Sequence, residues 1–220
     1  MIFYTDGRTA PRLDRAGVAA LADTLGLAFM EHDNWIRVVP RPEARSRALR
    51  ALFGFMGAAI NRYGHVVVAV TDGRPVGYVT FMEDRDRSGV NFGRVARSGG
   101  LVDALRFLAA LRPRELLGMR ALERAVARFE RGRARDPAAL HLYSAGVLPE
   151  LKGRGLMKAA FLYAEARFRE LGFTSYRLET TDPANLPVYA AFGLERVGEE
   201  PLGAFGRLAY FLERRFSPPG

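Results

Sequence analysis

The sequence predicts a single α/β domain in which helices flank a sheet with both antiparallel and parallel neighbours. Three observations lead there. His141 to Thr181 reads as strand, glycine-bearing loop, long helix and second strand, the order of a right-handed parallel crossover. HVVVAV and VGYVTF, joined by Asp72-Gly73, read as a hairpin. Two long segments ahead of that hairpin carry apolar residues at helical spacing. The 220 residues show no internal repeat and no linker of the kind that separates domains.

Met1 to Tyr4 is a short apolar run before Asp6-Gly7, which suits a first strand. From Leu13 to Glu31, Val18, Leu21, Leu25 and Phe29 fall on one helical face, and Asp33-Asn34 is expected to break the helix. Trp35, Ile36, Val38 and Val39 form a short apolar patch before Pro40. Pro42 to Tyr63 predicts a second helix with Leu49, Leu52, Phe53, Met56 and Ile60 inward and Gly64 as its C-cap. The hairpin His65 to Met82 follows. RDRSGVNFGRVARSGG is polar and glycine-rich and predicts a mobile loop.

Leu101 to Leu111 and Pro113 to Arg131 read as helices, the second with Leu116, Met119, Leu122, Val126 and Phe129 as its stripe. Arg120, Arg124 and Arg128 repeat beside that stripe as a cationic solvent face, and residues 85–139 as a whole read as an insertion. Leu140 to Val147 predicts a strand. Leu156 to Leu171 predicts a helix capped by Gly172, with Ala159, Ala160, Tyr163 and Ala166 near its packing face. Ser175 to Thr181 is the next strand. Asn185 to Phe192 is a short helix closed by Gly193, and Leu194 to Val197 with Arg207 to Glu213 is a final hairpin. The tail from Phe216 to Gly220 is expected to fray.

Composition narrows the chemistry. There is no cysteine, which removes disulfides, thiolate metal sites and a cysteine nucleophile. His32, His65 and His141 are far apart and show no metal-ligand spacing, so no metal is expected. No apolar run approaches a membrane span, and MIFYTDGR has neither a basic start nor an apolar signal core; a cytoplasmic protein without a membrane partner is expected. The net charge is +9, but +7 of it lies in residues 85–139, so solvated helix faces are favoured over a nucleic-acid patch.

The centre of the chain is VLPELKGRGLMKAA, Val147 to Ala160. A strand feeds a helix through a loop holding Gly153 and Gly155, with Lys152 and Arg154 around them. Such a loop aims several backbone N–H groups at one place, and the helix N-terminus adds partial positive charge, so it is a seat for phosphate. GxxxxGK[ST] is absent. GRGLMK starts like GxGxxG, but Lys158 stands at the third glycine.

HLYSAGVLPELKGRGLMKAA followed by YRLETTDPANLPVYAAFGLERVGE resembles the GNAT superfamily of acyl-CoA-dependent N-acyltransferases, and most of all the subset of puromycin N-acetyltransferase. The strong match covers roughly a third of the chain; LGLAFMEHDNWIRVVP and DGRPVGYVTF carry a weaker one. The resemblance implies a mixed, largely antiparallel twisted sheet of about seven strands with flanking helices and a helical insertion between strands 3 and 4. The strands 140–147 and 175–181 are expected to run parallel and splay where the cofactor enters.

The resemblance also implies acetyl-CoA as co-substrate. Its pyrophosphate maps to Lys152, Gly153, Arg154, Gly155, Leu156 and Met157, where glycines admit close approach to the backbone. Its pantetheine arm maps to the strand edge at Ala145, Gly146 and Val147. Two residues depart from the pattern: Lys152 replaces Gln or Arg, and Met157 replaces a small residue that would crowd the helix start less. In TDPANLPVYAAFGL, Asn185 is implied to bond the CoA arm, although many relatives carry that asparagine where Asp182 stands here. Tyr189 is implied to protonate the departing thiolate; a phenol near 10 and a thiol near 8.5 are not far mismatched. The plainer alternative is a tyrosine that packs its helix and bonds a carbonyl.

Glu179 is the first choice for the base that deprotonates the acceptor, against a strand carboxylate paired with an arginine. Glu31, Glu83, Tyr143 and bulk water follow it. A backbone N–H near Gly146-Val147 is implied to face the developing oxyanion. Without a cysteine, direct transfer in a ternary complex is the default. The expected acceptor is a small-molecule amine, and a homodimer is compatible with this reading. A protein or peptide acetyltransferase, a silent CoA-binding protein and an arginine-rich nucleic-acid binder compete with it.

Overall fold

A computed structural model describes residues 1–84, 91–131, 136–202 and 208–216. Among these residues seven strands form one sheet: β1 (Ile2–Thr5), β2 (His65–Thr71), β3 (Arg74–Glu83), β4 (Ala139–Val147), β5 (Ser175–Thr180), β6 (Glu195–Pro201) and β7 (Leu208–Arg215). Their order across the sheet is β1-β2-β3-β4-β5-β7-β6. Every neighbouring pair is antiparallel except β4 and β5. This is the mixed, largely antiparallel sheet expected.

Helices cover both faces. On one lie α1 (Arg15–Ala28) and α3 (Pro42–Tyr63). Leu21 and Leu25 of α1 and Leu49, Phe53 and Ile60 of α3 pack there against Val66, Val68, Tyr78 and Met82. The other face carries α7 (Leu156–Glu170), whose Ala160, Phe161, Ala164 and Phe168 meet Phe81, Leu140, Leu142, Tyr176 and Leu178. Phe168 sits edge-on to Phe81, with 4.8 Å between ring centres. Burying one such ring contributes about 1.5–3 kcal/mol.

The turn between β2 and β3 follows from its residues: Asp72 and Gly73 both take positive φ, as a two-residue hairpin turn of the right twist requires. Gly64 does end α3, but not by a left-handed conformation, for its φ is −131°. A Cβ at Gly64 would fall 2.3 Å from the Phe81 carbonyl oxygen, so the close approach of β3 demands the glycine.

Several boundaries differ from expectation. Asp33 does not break the chain; it opens α2 (Asp33–Val38), whose N-cap His32 accepts the Asn34 N–H through Nδ1 at 3.4 Å. Within the expected loop lies α4 (Phe92–Arg97), capped by Asn91, whose Oδ1 accepts the Arg94 N–H at 3.0 Å. Residues 85–90 lie outside the described residues. The packing face of α7 includes Ala160 but not Ala159, Tyr163 or Ala166, which are exposed. Alanine marks neither face, and the larger Phe161 and Phe168 decide the rotation. Phe216 does not fray: it is buried, and its N–H donates to the Thr174 carbonyl at 2.8 Å. Residues 217–220 lie outside the described residues.

The expected insertion between β3 and β4 holds α4, α5 (Leu101–Ala110) and α6 (Pro113–Arg131). Its anchor is Glu115, with 1% of its side chain exposed. Arg41 donates to both carboxylate oxygens, at 3.2 and 3.0 Å, and the Arg112 N–H donates at 2.7 Å, which caps the start of α6. Arg128 donates to Glu200 at 3.3 Å and to the Pro201 carbonyl at 2.9 Å, tying α6 to β6. Of the expected α6 stripe, Leu116 and Met119 pack against the cluster of Val39, Ala48 and Phe107; the side chains of Leu122, Val126 and Phe129 lie outside the description. Among the described residues no helix is long and apolar enough to cross a membrane.

Candidate functional site

The site begins as a gap in the sheet. β4 and β5 pair only at Ala139↔Ser175, Leu140↔Tyr176 and His141↔Arg177. Beyond that point β5 stays with β7 to Thr180, and β4 stays with β3 to Val147. The cause is local. Thr80 pairs with Ser144 and Phe81 with Leu142, so Tyr143 is an extra residue on β4. Such a bulge bends its strand and strengthens the twist. The hydroxyls of Thr80 and Ser144 meet at 2.7 Å and hold the bent segment to β3. Among the described residues the edge of β4 facing β5 is therefore unpaired from Leu142 to Val147, and Ala145, Gly146 and Val147 lie at its far end. A Cβ on Gly146 would fall 2.9 Å from Cβ of Ala28, so α1 backs this edge directly.

The glycine loop follows at once. Pro149–Leu151 is one turn of 3₁₀ helix, and Gly153 and Gly155 take φ of +79° and +75°, which glycine adopts at least cost. Gly155 is the N-cap of α7 and offers no side-chain cap. Among the described residues no acceptor takes the N–H groups of Gly153, Gly155, Leu156, Met157 or Lys158. A Cβ on either glycine would meet nothing within 4 Å, so the outer surface of the loop is open. Orphan donors, an open surface and the positive end of a helix are the requirements for a phosphate seat. Lys152 and Arg154 flank it, both exposed. Met157 does not crowd the loop, because its side chain packs against the α7-side core.

After β5 comes α8 (Leu186–Ala191), one residue later than expected at its start, with Leu186 and Tyr189 packed on the α7-side core. Asp182 caps the preceding turn by accepting the Ala184 N–H at 3.0 Å. Asn185 is half-buried, with Nδ2 3.5 Å from Thr180 Oγ1. Tyr189 packs its ring against the α7-side core. Among the described residues its hydroxyl makes no hydrogen bond, so the carbonyl partner of the plainer alternative is absent. Burial, with the charges of Glu179 and Asp182, pushes the Tyr189 phenol up to about 12, and it is protonated at neutral pH.

Glu179 points into the gap, and its partner is not an arginine. Its Oε2 lies 2.9 Å from Nε2 of His141, across the gap on β4. Burial works against its charge, but the attraction and hydrogen bond of His141 outweigh burial and hold the carboxylate below its usual range. The Tyr143 ring lies 5.0 Å from the His141 ring. Burial and the Glu179 charge push the Tyr143 phenol up to about 12, opposed by Arg94 of α4. Of the weaker base candidates, Glu31 is exposed, 3.9 Å from Arg45, and Glu83 lies at the paired end of β4 with Arg8 at 3.1 Å and His65 at 3.8 Å. His141 is the residue that reading the sequence missed. The signal for it was the parallel crossover: strands starting near Ala139 and Ser175 bring His141 beside Arg177 and within reach of Glu179. Among the described residues no three histidines or carboxylates cluster as a metal site.

Comparisons with known proteins agree with this geometry. No curated protein matches the chain. Among solved structures, one described as histone acetyltransferase HPA2 and related acetyltransferase from Corynebacterium glutamicum is 20% identical, over 94% of this chain and 96% of that one, with a TM-score of 0.60. The polyamine N-acetyltransferase of Drosophila melanogaster is 18% identical over 98% and 100%, with a TM-score of 0.55. The PaiA N-acetyltransferase of Thermoplasma acidophilum, solved with coenzyme A, is 10% identical over 98% and 99%, also at 0.55. At these identities the likeness is one of fold. The profile of the acetyltransferase (GNAT) family matches residues 27–194, a span that takes in the bulged strand, the glycine loop and Tyr189. The chain belongs to the GNAT family of acetyltransferases.

Proposed function

We propose that this protein, as one catalytic domain, moves an acetyl group from acetyl-CoA to an amine of a small molecule by direct transfer in a ternary complex. The observation that carries the reading is the junction of an unpaired β4 edge with a loop of orphan N–H groups, at a gap that also holds Glu179 and faces Tyr189. Acetyl-CoA supplies an activated acyl thioester. The N–H groups of Gly153, Gly155, Leu156, Met157 and Lys158 would hold its pyrophosphate, with Lys152 and Arg154 adding charge. The edge at Ala145–Val147 would pair with its amides as an added strand does, and Asn185 would bond the same arm. The backbone near Gly146-Val147 would donate to the thioester oxygen as charge develops there.

Tyr189 is the proton donor for the leaving thiolate in this reading. Its raised pKa keeps the proton on the phenol until a thiolate forms beside it. Glu179 belongs to the acceptor side. Its charge persists at neutral pH and favours an acceptor that arrives as an ammonium ion. Arg94 of the insertion stands over the Tyr63 ring at 5.1 Å and its charge is felt by Tyr143, which supports a walled site for a small acceptor over an open peptide groove. The likeness to the puromycin N-acetyltransferase subset and a cytoplasmic setting belong to the same proposal.

The test is thiol release from acetyl-CoA with a panel of agmatine, spermidine, puromycin and an alanine-terminated peptide. Tyr189→Phe should lower kcat by about 10²-fold or more while calorimetric acetyl-CoA binding stays within a few-fold of wild type. A Tyr189→Phe enzyme as fast as wild type removes the acid assignment. Turnover of the peptide alone would replace the small-molecule acceptor.

A further inference from the structure

We propose that His141 is the base that takes the acceptor's proton, and that Glu179 is a positioning residue acting through it. The inference rests on the acetyltransferase reading and deepens it. Geometry carries it. His141 is the last residue of β4 to pair with β5, so it stands where the strands part. Its Nε2 meets the Glu179 carboxylate at 2.9 Å, and 19% of one side chain and 27% of the other are open. A carboxylate accepts only, so in the neutral ring the proton sits on Nε2 and the lone pair on Nδ1. The Tyr143 ring beside the imidazole limits its swing.

Proton-transfer chemistry decides between the two groups. A carboxylate held below its usual range is a poor match for an ammonium donor. An imidazole, ordinarily near 6.5, lies closer both to the donor and to the working pH. The steps balance. The acceptor's ammonium form gives one proton to Nδ1 of His141, and the Glu179 charge stabilises the imidazolium. The nitrogen–carbon bond forms as the carbon–sulfur bond breaks. The thiolate takes the Tyr189 proton, the nitrogen's second proton restores Tyr189 through solvent, and His141 releases its proton to water.

Among the described residues, Glu179 favours the imidazolium, and Arg177, its register partner on β5 with Asp84 at 3.4 Å, opposes it, while Tyr143 and Tyr189 are neutral below their raised pKa values. Removing the Glu179 charge must therefore move protonation of His141 to lower pH.

The experiment pairs His141→Gln and Glu179→Gln in two measurements. The first is the pH profile of kcat/KM for thiol release with agmatine or spermidine. His141→Gln should lose about 100-fold at neutral pH and lose the acidic limb, with acetyl-CoA binding unchanged. Glu179→Gln should keep the limb, moved to lower pH, with a smaller loss. A limb that survives His141→Gln and vanishes in Glu179→Gln overturns the proposal and makes Glu179 the base. The second is NMR titration of the three histidine rings, which needs no acceptor and no His141 variant. In Glu179→Gln one ring should shift its midpoint to lower pH; if none shifts, the pairing and the proposal fail. Wild type that binds no acetyl-CoA would overturn the transferase reading and this inference together, whereas intact binding and turnover with an unmoved limb overturn His141 alone.

Discussion

At neutral pH Glu115 carries its charge inside the protein, and it does so because three hydrogen bonds from two donors, Arg41 Nη2 and the Arg112 N–H, replace the water it gave up. Burial alone would raise its pKa. The bond from the Arg112 N–H and the bonds and charge of Arg41 reverse that and hold it below the usual carboxylate range. A depressed carboxylate contributes stability that is full above its unfolded value, about 4.3, and is lost as pH falls through the lower folded value. Glu115→Gln should therefore be less stable than wild type by about 1–3 kcal/mol at neutral pH, and its acid unfolding should begin less steeply. Chemical denaturation at pH 7 and at successively lower pH measures both; equal stabilities at pH 7 would show that the Arg41 pair contributes nothing. At this scale the sequence was legible where a residue sits in a motif. Tyr189 was named that way and Glu179 from its place on its strand, and Glu179 does stand in the gap. His141 has no motif, and its role depends on a register between two strands that no single segment encodes. The arginine pairing weighed as the alternative for Glu179 gives way to His141, a contact set by the β4–β5 register.

Among the elements, the loop from Lys152 to Met157 is built of backbone, and substitutions should say so. Gly155→Ala meets no neighbour, so its cost is conformational, about 1–2 kcal/mol for a left-handed residue. It also places a methyl group on the surface where a phosphate would rest. Acetyl-CoA affinity should fall about tenfold or more in Gly155→Ala, and by much less in Lys152→Gln, which removes one exposed charge near a screened site. Calorimetry of the two variants checks the order; a larger loss from Lys152→Gln would make the seat one of side chains. Elements with strong punctuation were legible. Pro42 opens α3, and Asp72-Gly73 turns the hairpin. Those without it were not: α4 depends on the Asn91 cap inside a glycine-rich stretch, and the face of α7 is hidden by alanines that suit either side.

For the whole molecule, the order β1-β2-β3-β4-β5-β7-β6 follows from no periodicity, because strand order is settled by which edges meet. The resemblance of two motifs at their proper separation implied only a mixed, largely antiparallel sheet with strands 140–147 and 175–181 parallel, and that parallel β4–β5 pair with its splay is the feature on which the proposed function depends. The bulge opens the strand edge, α1 packs behind it at Gly146, the loop leaves its N–H groups without acceptors among the described residues, and α8 carries Tyr189 within reach of the Glu179 charge. The excess charge of residues 85–139 is spent in part within the fold, through Arg128 on Glu200, while Arg94 stands over the Tyr63 ring at 5.1 Å and acts on the gap through Tyr143. If these parts form one site, it must hold the thioester donor before any acceptor is known. The most direct test is calorimetric titration of the wild-type chain with acetyl-CoA. The account predicts saturable binding of one acetyl-CoA per chain, weakened by Gly155→Ala and kept in Tyr189→Phe. Titration to millimolar acetyl-CoA with no saturable heat would contradict it.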